Sequence, residues 1–400
     1  MVHLTLNNTS QYRWVILGVV WIIAFTCALT TFVCPPHMDE MIQTFGISIT
    51  EASMFMSLIN LSTLSFNFVG GILLGKTGAR KIMGTGLAVI AVSQIISGLT
   101  GSYIVEVSAR LVLGMGIGVT MICMMQSVSE WFSLRELSAA FSIQVTGWVT
   151  GNVVGLAAPI PLSKALGTDW RGTFLAFGAF ALVVNLIFWI FFREPKATQE
   201  YTSRQGEGIK LGEILRLKDF WILSLGFMGQ ILGMSIAMTW LPKSLAEAGW
   251  TASSAALLTT IFPLMGLPGN LAGGLIANKL GRKKPLFLIS GVFLMISYVI
   301  LALAAQSILV WVAMILGGWF NFFFVGPLLA MPSELPEIGP RKSGIFLGLS
   351  NLITGSGGFF APLLAGIMRE STGSFVSSFL FAGLLSALLL IPGFLAREQG

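Results

Sequence analysis

Apolar runs of about 20 residues or more recur along almost the whole chain, at about 14–37, 50–74, 82–101, 103–128, 138–162, 172–192, 220–241, 253–277, 285–305, 308–330, 343–367 and 374–396. A helix rises about 1.5 Å per residue, so each run can cross the roughly 30 Å hydrocarbon layer of a bilayer. The sequence therefore predicts an all-α polytopic membrane protein with twelve transmembrane helices. Barrel strands would instead show alternation over about ten residues. Composition agrees: 55% of the 400 residues are hydrophobic and 10% charged, with a mean hydropathy of +0.85, whereas soluble domains carry about 25% charged residues. A soluble enzyme, a disordered chain and a disulfide scaffold are excluded. The first run follows a short polar lead, is too long for a signal-peptide core and lacks a small-residue cleavage site, so it is expected to be retained as a span.

The long polar stretch Arg193 to Asp219 divides the runs six and six. The predicted domains are a six-helix bundle at 1–192, a cytoplasmic linker at 193–219 and a second bundle at 220–400. On alternate sides of this map, Lys and Arg number 18 and 4, with Arg110 alone inside a span. The rule that basic loops stay inside then predicts cytoplasmic N- and C-termini in a multi-pass protein of the cytoplasmic membrane. The net charge of +6 is explained by this asymmetry; no basic stripe with interleaved aromatics points to nucleic acid. Cys27, Cys34 and Cys123 lie in apolar runs without a CxxC pair and read as core residues, not metal ligands.

The halves match at a fixed offset of 203 residues: Gly46 with Gly249, Gly71 with Gly274, Gly78 with Gly281, Arg80 with Lys283, Gly114 with Gly317, Gly155 with Gly358, and Pro159 with Pro362. Parallel six-helix repeats that rock about a midplane site are one physical basis of alternating-access transport.

Gly71-Ile-Leu-Leu-Gly75-Lys76-Thr-Gly78-Ala-Arg80-Lys follows the second run, and Gly274-Leu-Ile-Ala-Asn278-Lys-Leu-Gly281-Arg282-Lys follows the eighth. Both resemble the cytoplasmic loop signature of the major facilitator superfamily, G-x-x-x-D-R/K-x-G-R-R/K. Arg110-x-x-x-Gly114-x-Gly116-x-Gly118 resembles its fourth-span signature, and Gly147, Gly151, Gly155 and Pro159 its fifth-span one. The resemblance implies the major facilitator fold, monomeric function, and a cavity lined by the first, fourth, seventh and tenth helices. Gly71, Gly75, Lys76, Gly78, Arg80, Gly274, Asn278, Gly281 and Arg282 would form the cytoplasmic gate, the glycines permitting close helix packing and a tight turn. The usual signature acid is replaced by Gly75 and Asn278, so its gate ion pair cannot form in the usual way. Glu130, Arg135, Glu136, Glu334, Glu337, Arg341 and Lys342 on neighbouring loops are candidates to replace it. Trp240-Leu-Pro-Lys243, Ala248-Gly-Trp-Thr251 and Gly266-Leu-Pro-Gly269 resemble cyanate and nitrite porters and related small-anion carriers. Where nitrate porters carry anion-binding arginines, this chain has Asn67 and Asn270, which argues for a different ligand.

Arg110 is the most informative residue, because a charge about 10 Å inside a span is costly unless paired or facing water. Its guanidinium offers a planar donor fork suited to a carboxylate or oxyanion; equally, it can pair with Glu106 one turn away. Glu106 is the only acid placed inside the apolar layer and is the leading proton-coupling candidate, paired with Arg110 until an anion displaces it. His37, at the outer end of the first run, is a second such group. Thr26 and Thr30 share one face of that run and are ligand candidates, although a threonine also bonds its own helix backbone. Gln230, Trp240, Trp319, Asn321 and Asn351, with Trp148 and Asn152, complete the set, interhelical bonding or packing being the competing role for each.

These residues predict a secondary active transporter for a small anion, of carboxylate or inorganic oxyanion type, with proton symport and no cofactor. The alternatives are a quaternary-amine carrier with an aromatic cage of Trp148, Trp240 and Trp319, or a drug-type exporter, which the missing Gly-Pro pair of the fifth span disfavours. An intramembrane enzyme has no support: the histidines are His3 and His37, and Asp39, Asp169 and Asp219 all fall in loops.

Overall fold

The computed structural model describes residues 11–132, 137–194 and 211–397, and these are helical apart from short connections. The first half comprises α1 (Tyr12–Phe32), which continues through a 3-10 turn at Pro35–His37 into α2 (Met38–Phe45), then α3 (Ile49–Thr77), α4 (Ala79–Leu99), α5 (Tyr103–Trp131), α6 (Leu137–Ala157), α7 (Pro159–Leu166) and α8 (Trp170–Phe191). A short α9 (Leu211–Leu215) precedes the second half: α10 (Lys218–Glu247), α11 (Ala252–Leu280), α12 (Lys284–Leu303), α13 (Leu309–Phe323), α14 (Val325–Glu334), α15 (Gly339–Thr372), α16 (Val376–Ser386) and α17 (Leu390–Leu395). Among the described residues, eleven helices are long and apolar enough to span a bilayer, and twelve when α6 and α7, bent by 51°, count as one. Pro159 starts α7, and a proline there removes a backbone donor and crowds the preceding turn, which breaks the helix.

The repeat is visible in the hydrogen bonding. Ser48 caps α3 by accepting from the Glu51 N–H, and Thr251, 203 residues on, caps α11 by accepting from the Ser254 N–H. Ser93 of α4 donates to the Ala109 carbonyl of α5, and Ser297 of α12 donates to the Ala313 carbonyl of α13 at 2.7 Å. Gly78 and Gly281 close α3 and α11 with φ of +83° and +62°, where a side chain would be strained.

One expectation about the signature glycines is corrected. Close helix packing was expected at Gly71 and Gly274, but a Cβ at either would meet nothing within 4 Å. The close approach lies one residue earlier, at Gly70 against Val119 of α5 and at Gly273 against the Phe323 carbonyl of α13, where a Cβ would stand 2.9 and 1.6 Å from backbone. Helical geometry explains the shift, since consecutive residues point about 100° apart around the axis.

The halves meet through α3 with α15 and α6 with α11. At the sparsely charged face, away from the signature loops, Thr50 donates its N–H and hydroxyl to Glu370 at 2.8 and 2.7 Å. Deeper, Asn60 donates to the Gly358 carbonyl at 2.8 Å, and Leu64 packs on Gly355. Toward the basic face the helices part: Gly71 and Gly348 have open flanks, and Asn351 and Leu352 are exposed. Along the α3–α15 seam the halves are thus in close contact toward one face and apart toward the other.

Candidate substrate site and gates

Arg110 and Glu106 lie one turn apart on α5, both 0% exposed, with Nε of Arg110 2.6 Å from Oε1 of Glu106. The guanidinium carbon sits 4.5 Å from the centre of the Phe174 ring on α8, an attraction between cation and ring face. Nη1 and Nη2 of Arg110 and Oε2 of Glu106 have no hydrogen-bond partner among the described residues. The ion pair, one of the two roles weighed for Arg110, is therefore present, and it leaves two guanidinium nitrogens without a partner among the described residues. Gln94, on the neighbouring α4, donates to the Thr30 carbonyl at 2.7 Å, tying α4 to α1.

Thr26 and Thr30 are fully buried, and their hydroxyls donate back to the carbonyls of Ile22 at 2.7 Å and Thr26 at 2.9 Å. The helix backbone takes the donors of both hydroxyls, as it commonly does for threonine. His37 lies beyond α1, which ends at Phe32; it is buried in the following 3-10 turn, with Nδ1 3.3 Å from Glu40. Trp240 is fully buried, donates to the Pro362 carbonyl at 3.0 Å and packs on Phe375 at 5.4 Å.

Asn67 and Asn270 are half-buried on α3 and α11, where α5 and α14 press close through Gly118 and Gly326. Trp319 is half-buried and Asn351 is exposed. In the second half, Gln230 of α10 and Asn321 of α13 both turn their amide nitrogens toward the sulfur of Met234, at 3.7 and 3.2 Å. Met234 and Phe174 were absent from the expected site because nothing separates them from packing residues in sequence.

These elements and the repeat have a family counterpart. The sequence matches the Major Facilitator Superfamily over residues 20–337 and 223–399. The chain belongs to the Major Facilitator Superfamily. It is similar to a probable sulfoacetate transporter of Cupriavidus necator (24% identical, covering 95% of this chain and 93% of the relative). It is also similar to a probable L-galactonate transporter of Escherichia coli (21%; 86% and 80%) and to a hexuronate transporter of Bacillus subtilis (22%; 84% and 83%). Among solved structures, it superimposes on a bacterial homolog of the human lysosomal transporter Spinster with a TM-score of 0.80 at 15% identity, covering 96% of each chain.

In this Major Facilitator Superfamily chain the first signature loop is held by an acid not among those expected to replace the missing one. Glu194, just beyond α8, accepts from the Arg80 N–H at 2.5 Å, placing its carboxylate at the positive end of α4. Arg80 donates to the Trp189 carbonyl at 2.7 Å. Glu194 falls within the predicted linker at 193–219; its place directly after an apolar run was the available signal. Glu337 pairs instead with Arg397 at 3.0 Å, beside Asp219, and Glu130 accepts from Gln126. Arg135 and Glu136 lie outside the described residues, as do the surroundings of Gly75 and the side chains of Lys76, Asn278, Glu334, Arg341 and Lys342. Arg282 is exposed.

Proposed function

We propose that the chain is a secondary active transporter of a small organic anion, working by alternating access, with Arg110 as the charge anchor and Glu106 as the proton-coupling group. The observation that carries this reading is the buried pair itself: an arginine held by one Nε contact, with two guanidinium nitrogens unpartnered among the described residues. A charge in the apolar layer is costly unless it is used, and the free edge of the fork matches a carboxylate or sulfonate. An incoming anion takes the place of Glu106 on the guanidinium, and the released carboxyl takes a proton, so that anion and proton move together. The relatives named for sulfoacetate, L-galactonate and hexuronate favour organic acids over the cyanate and nitrite type.

The excess of Lys and Arg on the signature-bearing loops supports a reading in which that open face and both termini lie in the cytoplasm, in a cytoplasmic-membrane protein acting as a monomer of two bundles at 1–192 and 220–400. Gly71 and Gly274, open in this state, lie where the halves approach when that face closes. The amine-carrier alternative loses one wall of its cage, since Trp240 is sealed against Phe375.

The test is uptake of labelled glucuronate, galactonate and sulfoacetate into proteoliposomes under an imposed pH gradient. Arg110→Ala is expected to abolish uptake, and Glu106→Gln to retain exchange while losing the response to the gradient. Uptake by Arg110→Ala at the wild-type rate overturns the assignment.

A further inference from the structure

Gln230 lies 12 residues from the start of α10 and Asn321 12 from the start of α13, about 18 Å along each helix and so near the middle of the apolar layer. They are 2% and 0% exposed. An amide at that depth must find partners or carry a desolvation penalty. Here both side-chain nitrogens converge from different helices on one acceptor, the Met234 thioether, at 3.7 and 3.2 Å, and a thioether is a weak acceptor. Oε1 of Gln230 and Oδ1 of Asn321 have no partner among the described residues. Two amides serving only to join helices would bond one another; these are kept apart by a half-buried side chain with three rotatable bonds, which can swing aside.

The chemistry that fits such a pair is a group that both donates and accepts. An alcohol oxygen accepts from the amide N–H while its proton goes to an amide oxygen. A carboxylate, which only accepts, would leave the amide oxygens unmet and face them with like charge. We infer that Gln230 and Asn321 form a hydroxyl-reading subsite with Met234 as its displaceable cover, and that the favoured substrate is therefore a polyhydroxylated carboxylate. The inference rests on the organic-anion reading above and narrows it, separating sugar acids from hydroxyl-free anions such as sulfoacetate.

The experiment measures binding to the purified full-length protein by thermal shift and calorimetry, with glucuronate and galactonate against propionate and sulfoacetate. Wild type is expected to prefer the hydroxylated acids by tenfold or more, as sites built around a substrate hydroxyl do. Gln230→Met and Asn321→Leu are each expected to reduce that preference about tenfold, the scale of one buried hydrogen bond, through weaker binding of the hydroxylated acids. Met234→Leu, which keeps the cover's bulk, retains the preference, and Arg110→Ala weakens both classes together. If Gln230→Met and Asn321→Leu bind both classes as wild type does, or lose both equally, the amides are structural and the inference falls. Acids that bind wild type without hydroxyl preference also overturn it while sparing the carrier reading; no binding of any acid overturns both.

Discussion

Lys243 of α10 reaches across the boundary between the halves to the carboxylate of Asp39 on α2. The same ammonium stands 3.5 Å from Glu247, which Arg369 of α15 holds with two contacts at 3.2 and 3.3 Å. With Glu370 accepting from Thr50, this network closes the sparsely charged face. Part-exposed ion pairs are individually worth about 0–1 kcal/mol, so removing one should shift the balance of states without unfolding the protein. Lys243→Met is therefore expected to raise maleimide labelling of Ser53→Cys, which lies buried under Gly366, by about fivefold. The three native cysteines are buried and give little background. Equal labelling rates in the two backgrounds would show that the contact does not hold this face closed.

The Arg110–Glu106 pair makes a different prediction, because both groups are fully buried. Removing one partner of a buried pair strands the other charge, at a cost of about 3–5 kcal/mol, whereas replacing both by apolar or neutral groups of similar size costs less. Arg110→Ala should lower the unfolding midpoint more than the double variant Glu106→Gln/Arg110→Met. Thermal unfolding in detergent checks this, and a double variant at least as unstable as Arg110→Ala refutes it.

Much of this was legible in the sequence. Span number, the 203-residue repeat and the Arg110–Glu106 pairing follow from apolar periodicity and helical spacing, which are local properties of the chain. What the sequence could not show is which way a side chain turns once helices pack. Thr26 and Thr30 carry a polar pattern that suits either a cavity or their own backbone, and only the packed helix shows the second. The Gln230–Met234–Asn321 convergence joins residues on α10 and α13, and no sequence spacing brings Asn321 to the other two. Lys243 and Asp39 stand 204 residues apart, and their pairing depends on how the halves meet.

The glycines give a third test, on adjacent residues. At Gly273 a Cβ would lie 1.6 Å from the Phe323 carbonyl, while at Gly274 it would meet nothing within 4 Å. Gly273→Ala must push α11 away from α13 and should cost about 1–3 kcal/mol or more. Gly274→Ala should be neutral, or stabilising by up to about 1 kcal/mol through reduced backbone freedom. Unfolding midpoints of the two variants separate the cases, and equal losses would contradict the packing of α11 on α13.

Glu130, beyond the apolar part of α5, supplies a pH-dependent prediction. Burial pushes its carboxyl above the usual carboxylate range; the hydrogen bond from Gln126 opposes this and the negative charge of Glu194 adds to it. Because the folded state holds the proton more tightly than the unfolded chain, unfolding releases it wherever the pH lies between the two pKa values, and stability falls as pH rises through that window. At neutral pH the ionised carboxylate carries the penalty. Glu130→Gln keeps an acceptor for Gln126 but removes the charge, so it should raise the unfolding midpoint at pH 7 by about 1–2 °C. Below the usual carboxylate range wild-type Glu130 is protonated in both states, and the advantage should vanish. A midpoint difference that stays constant from pH 4 to pH 8 would mean that the variant acts through packing and not through the proton.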